Sequence, residues 1–160
     1  EKANYAGENL SSKIFEKMLI NANGSNSSLS TPLSVEYLKW RYHKNPLQDY
    51  IIKSTQDYYL AAYLKKQKYF NEFRVSQLVF DDTNALVKKE LRKLLMQLAR
   101  QFNANLITLS SVNNLGYQFK MSGNYGPTLT LKSLSLSNIE KQKLLLLDNW
   151  HYSLGDLELF

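Results

Sequence analysis

The chain has 160 residues, of which 44% are hydrophobic and 12% aromatic, enough apolar material for one sizeable core and too much for an intrinsically disordered chain. There is no cysteine, which excludes a disulfide framework, a thiolate nucleophile and any cysteine-ligated zinc or iron–sulfur site. The net charge of +6 divides as +4 over residues 1–80 and +2 over residues 81–160, so neither half is a basic tail and an anionic polymer is only mildly favoured as a partner.

Leu10, Ile14, Phe15, Met18 and Leu19 have helical spacing and give way to an Asn- and Ser-rich stretch, residues 21–28, that has nothing to bury. A short helix followed by a loop is expected there, with residues 1–30 standing apart from a domain over residues 31–160. The Asn-x-Ser sequons at Asn23 and Asn26 are what so biased a composition produces by chance. Residues 35–42 form a second short helix that ends before Pro46. Three strands follow, residues 50–52, 58–64 and 73–80, rich in β-branched and aromatic side chains and joined by polar turns, and they are expected to pair antiparallel. Asp81, Asp82, Thr83 and Asn84 stop the third strand and supply helix caps.

Val87, Leu91, Leu94, Leu95, Leu98 and Phe102 recur at steps of three and four, with Lys88, Lys89, Arg92 and Lys93 on the other side. This predicts an amphipathic helix of about five turns packed on a sheet. Leu106, Ile107, Thr108 and Leu109 then form a strand reached through a crossover helix, which makes it parallel to the strand before that helix. The sheet is therefore mixed. Residues 115–121 fit either a helix or a strand, residues 123–127 a turn, residues 128–134 a half-buried alternating strand, and residues 150–154 a last strand. The periodicity of residues 139–147 suits neither type.

Two strings are more specific: Tyr37-Leu38-Lys39-Trp40-Arg41-Tyr42 followed by Asn45-Pro46 and Tyr50, and Trp150-His151-Tyr152-Ser153-Leu154-Gly155-Asp156. Together with the element order they resemble GNAT-like (acyl-CoA N-acyltransferase superfamily) domains of bacterial proteins of cell-surface polysaccharide biosynthesis, often the second half of a tandem pair. The resemblance runs from about Thr31 to Phe160 and departs at Leu157 and Glu158, where that family usually has a small and then an acidic residue. It implies an α+β fold, a GNAT-like mixed and mainly antiparallel sheet flanked by helices. It also implies acyl transfer from acyl-CoA to an amine or amino sugar.

In that family the cofactor's pyrophosphate rests on a Gln/Arg-x-x-Gly-x-Gly/Ala loop at the start of the long helix. The corresponding positions here, Asp81, Asp82, Thr83, Asn84, Ala85 and Leu86, hold two carboxylates and neither a glycine nor a cation. The resemblance thus makes Asp82, Thr83, Asn84 and Ala85 the cofactor positions of an impaired loop, with acyl-CoA the implied cofactor. Tyr117 and Tyr125 are the candidate proton donors to a thiolate, although a core or turn aromatic is the commoner role of either. Trp40 and Arg41 are the candidate substrate contacts, against the commoner reading in which the aromatic closes the core and the guanidinium pairs with a carboxylate.

His43 and His151 are far apart and no metal site is expected. Neither is a membrane span, since the longest aliphatic run is residues 144–147 where roughly 20 apolar residues are needed. Lys65, Lys66 and Lys68, with Lys88, Lys89, Arg92 and Lys93, read as a solvated surface rather than a face for nucleic acid or anionic lipid. The chain opens on Glu1 rather than methionine and is expected to be part of a longer, cytoplasmic protein, partnered by a second such half or by itself, with a small-molecule acceptor. The alternatives are a working acyltransferase with an atypical phosphate loop and a non-enzymatic module that binds an anionic partner.

Overall fold

The computed structural model describes residues 13–24, 29–110, 113–117, 121, 123 and 134–157. The fold is α+β: a mixed, mainly antiparallel four-stranded sheet flanked by helices. The strands β1 (Ile51–Ser54), β2 (Tyr58–Lys66), β3 (Asn71–Phe80) and β4 (Leu106–Thr108) lie side by side in chain order. β1, β2 and β3 pair antiparallel through tight turns, as alternation and the polar breaks between them require. α3 (Ala85–Gln101) then carries the chain over one face, so β4 returns parallel to β3. That pairing is short, Glu72 to Leu106 through Arg74 to Thr108. β3 runs on to Phe80 with no paired strand on its β4 side among the described residues.

One irregularity decides which side chains face where. Ala61 lies opposite Gln77 but Ala62 opposite Val75, so Ser76 is an extra residue, a β-bulge. Before it, Phe73 and Val75 face α3; after it, Leu78 and Phe80 do, and Gln77 and Val79 turn to the opposite face. The α3 face buries Tyr58, Leu60, Ala62, Phe73, Val75 and Leu78 against Val87, Leu91, Leu95 and Leu98, the set read from the helix spacing. Phe73 stacks on Phe102 with ring centroids 6.2 Å apart.

The opposite face is covered by α1 (Lys13–Gly24) and by α2 (Val35–Leu38), which continues as a π-helical turn over Lys39–His43. Phe15, Leu19, Val35, Leu38 and Tyr42 bury Ile52, Tyr59, Ala61 and Val79. One expectation changes here. α1 runs on through Asn21 to Gly24, where a loop was expected, because Ala22 packs against this core and keeps the last turn helical. The π turn closes with the Lys44 amide donating to the Lys39 carbonyl at 3.0 Å. Such a widened turn shifts the direction of the side chains it carries.

Beyond β4, Asn113 to Tyr117 is irregular, held by the Gly116 amide on Asn114 Oδ1 at 3.1 Å, with Gly116 at φ +69°. This turns Leu115 into the α3 core. Residues 118–120, the turn at 124–127 and the alternating stretch 128–133 lie outside the described residues. α4 (Asn138–Leu145) starts with a capping box between Ser137 and Glu140 and buries none of its residues.

The expected last strand does not form. Trp150 makes one parallel bridge to Leu29, and the chain then turns into a 3₁₀ turn at Gly155–Leu157. Asp156 reaches back to accept from the Ser153 amide at 2.8 Å and the Ser153 hydroxyl at 2.9 Å, which closes the turn before a ladder can extend.

Candidate functional site

Two places take up the residues that carry chemistry. The first is the loop between β3 and α3. Asp81 Oδ1 accepts from the Thr83 hydroxyl at 2.6 Å and the Thr83 amide at 2.9 Å, which holds its carboxyl below the usual carboxylate range. Asn84 caps α3, its Oδ1 accepting from the amides of Leu86 at 3.0 Å and Val87 at 3.3 Å. Two of the first three amides of α3 are therefore already engaged, beside a carboxylate that stays charged. Asp82, Thr83 and Ala85 are exposed around this turn. The donor set does not fit a pyrophosphate: neutral Asn84 takes these two amides, and Asp81 repels a second negative charge.

Tyr117 is half-buried against the α3 core, and its hydroxyl is enclosed with no hydrogen-bond partner among the described residues. Burial pushes its phenol up, partly offset by the nearby Arg92, whose guanidinium donates to the Leu115 carbonyl. Tyr125 lies outside the described residues.

The second place is built by the two specific strings, which the fold brings together across more than a hundred residues. Arg41 is buried, and its guanidinium donates to the Gly155 carbonyl. Tyr42, also buried, donates its hydroxyl to Gln77 Oε1 at 3.2 Å, the side chain that the bulge turned to this face. Gly155 sits so close to both β3 and Tyr42 that a Cβ there would overlap the Tyr42 hydroxyl and stand 3.1 Å from the Ser76 carbonyl oxygen. Thr31 donates to Asp156 Oδ1 at 2.8 Å. Burial, then the Asp156 charge, pushes the Tyr37 phenol up, and the Tyr42 phenol is driven far up by burial first. The carboxylate of Asp156 thus ties the second string to the segment before α2.

Comparison with protein-family models, curated proteins and solved structures finds no match for this chain.

The joint carries an open cleft of about 280 Å³, lined by Leu29, Ser30, Thr31, Trp150, His151, Tyr152 and Asp156. Its walls are set by main-chain bonds, the Leu29 amide to the Asn149 carbonyl at 2.7 Å and the His151 amide to the Leu29 carbonyl at 2.8 Å. Trp150 is half-buried rather than sealed in the core, and its indole donates to the Leu144 carbonyl at 3.0 Å. Trp150 and Tyr152 thus contribute aromatic side chains to the lining, and Asp156 a carboxylate. Thr31 had no sequence signal, because its role depends on a partner 125 residues away.

Of the two candidate substrate contacts, Arg41 points inward and donates to the Gly155 carbonyl. Trp40 does not close the core: it is 62% exposed and leans on Tyr37 with ring centroids 5.9 Å apart. Helical phase explains the split, since Leu38, Arg41 and Tyr42 share the inward side and Trp40 falls on the other. Among the described residues no group of three or more His, Asp or Glu could hold a metal ion, and no helix is long and apolar enough to cross a membrane.

Proposed function

We propose that the chain is an acyltransferase-type (GNAT-like) domain whose own phosphate loop is impaired, and that it serves a second such domain by completing or stabilising an acceptor site. The reaction class is acyl transfer from acyl-CoA to an amine or amino sugar. The observation that carries the reading is the α3 amino terminus, which sits after the carboxyl end of a strand with a parallel neighbour but has two of its first three amides taken by Asn84 and a charged Asp81 beside them. No step through the cofactor is assigned to this chain. What its residues offer is the cleft between residues 29–31 and the second string, where aromatic side chains can cover an apolar ring face and Asp156 can attract a cationic amine.

Calorimetric titration with acetyl-CoA at moderate salt tests this. No saturable heat is the expected result. A micromolar dissociation constant, about −8 kcal/mol, overturns the impaired-loop reading and favours a working acyltransferase with an atypical loop.

A further inference from the structure

The β2–β3 hairpin ends in a surface that neither place above uses. Its tight turn is closed by the Gln67 amide on the Phe70 carbonyl at 2.9 Å. The turn carries Tyr69 at 84% exposure and Phe70 at 41%, in a fold that buries Tyr58, Tyr59 and Phe73 of the same sheet. Lys66 and Lys68 are exposed beside them, Lys65 is partly so, and Lys68 Nζ lies 5.1 Å from the centre of the Tyr69 ring. From Ala61 to Asn71 the sequence has no acidic residue. The next one, Glu72, is buried, with its Oε1 3.1 Å from Arg74 Nε and accepting from the Thr108 hydroxyl at 2.6 Å.

The apex is also firmly backed. Asn71 accepts from the Asn105 amide at 2.8 Å, donates its own amide to Asn105 Oδ1 at 2.8 Å, and donates its side-chain amide to the Asn103 carbonyl at 3.2 Å. This fixes the carboxyl end of α3, with exposed Arg100, next to the hairpin. Two exposed aromatic residues therefore sit at a hairpin tip backed by hydrogen bonds, with exposed lysines beside them in the chain.

We propose that this hairpin tip is a docking point for an anionic phospholipid bilayer, which it touches without spanning. Charge complementarity selects an anionic partner, and the shape selects a bilayer over a nucleic acid. Single strands are bound by rings laid along a sheet face or groove, whereas an apex ring with an amphipathic phenol suits the headgroup level. Lysines around it supply the attraction to anionic lipid.

The test is co-sedimentation of the full chain with phosphatidylcholine vesicles made with and without phosphatidylglycerol. Partitioning is expected only with phosphatidylglycerol and should weaken as salt rises. Each of Lys65→Gln, Lys66→Gln and Lys68→Gln should lower the partition coefficient about fivefold, about 1 kcal/mol. The Tyr69→Ala/Phe70→Ala variant should lose binding at an unchanged thermal midpoint, and a Tyr69→Trp variant should shift its emission to the blue on phosphatidylglycerol vesicles alone. The triple change Lys88→Gln/Lys89→Gln/Lys93→Gln removes three charges from α3, as many as the triple change Lys65→Gln/Lys66→Gln/Lys68→Gln removes from the hairpin. An equal loss there, equal binding to both vesicle types, or tighter binding of a fluorescent oligonucleotide than of vesicles overturns the proposal.

Discussion

Gly155→Ala tests whether the joint between the two strings is as closely fitted as the structure implies. The added methyl would overlap the Tyr42 hydroxyl and press on the Ser76 carbonyl oxygen at 3.1 Å. Neither neighbour can yield easily. Ser76 is bulge backbone in a central strand, and the Tyr42 ring is held edge-on by Tyr50 at 5.0 Å and tilted against Tyr59 at 6.3 Å. The 3₁₀ turn must therefore move outward, which stretches the bond from the buried Arg41 guanidinium to the Gly155 carbonyl.

Overpacking of this kind costs about 1–3 kcal/mol, and weakening a hydrogen bond from a charged group adds to it. Tyr42→Phe alone removes the bond to Gln77 Oε1 and leaves a buried acceptor unsatisfied, a loss of about 1 kcal/mol or more. In the double variant the clash with the hydroxyl is gone, so the two losses should fall short of their sum by about 1 kcal/mol. Urea denaturation of all four proteins, with unchanged m-values, gives the coupling directly. A Gly155→Ala protein as stable as the parent, or strictly additive losses, would refute the close fit and the role given to Arg41.

Two further outcomes follow from the same face of the sheet. The Tyr59 hydroxyl is fully enclosed with no hydrogen-bond partner among the described residues, so Tyr59→Phe removes a desolvated polar atom at nearly constant volume. The variant should be at least as stable as the parent in thermal denaturation, and a loss of about 1 kcal/mol or more would mean that the hydroxyl is satisfied. Burial, and then Lys39, lowers the pKa of His43, whose ring lies 6.3 Å from that of Tyr59. The unfolded chain then takes up the proton first, so this contribution is fully present above about pH 6.5 and is lost as the pH falls below it. The urea midpoint should drop between about pH 7.5 and about pH 5.5, before the carboxylates of Glu36, Asp81 and Glu140 protonate, and the drop should shrink in His43→Gln. A midpoint independent of pH over that range refutes it.

The elements that the sequence determined by itself are those whose cause is local. The α3 stripe of Val87, Leu91, Leu95 and Leu98 follows from a period of 3.6, the strand β2 from an aromatic and apolar run between polar turns, and the Asn84 cap from an amide acceptor placed two residues before free amides. Crossover handedness then made β4 parallel to β3 with no long-range information beyond the order of elements.

What only the tertiary structure decided are the choices that depend on a distant partner. Ser76 is not marked as a bulge by its neighbours, yet it sends Gln77 to Tyr42 and opens the place that Gly155 fills. Nothing local told Arg41 to seek a carbonyl 114 residues away. Residues 150–154 have strand-like composition, but a strand needs a neighbour with free main-chain groups. Leu29 offers one bridge, and Asp156 captures the Ser153 amide instead. Spacing sets which face a side chain occupies; which atoms meet it there is fixed only when the sheet, the π turn and the last 3₁₀ turn pack together.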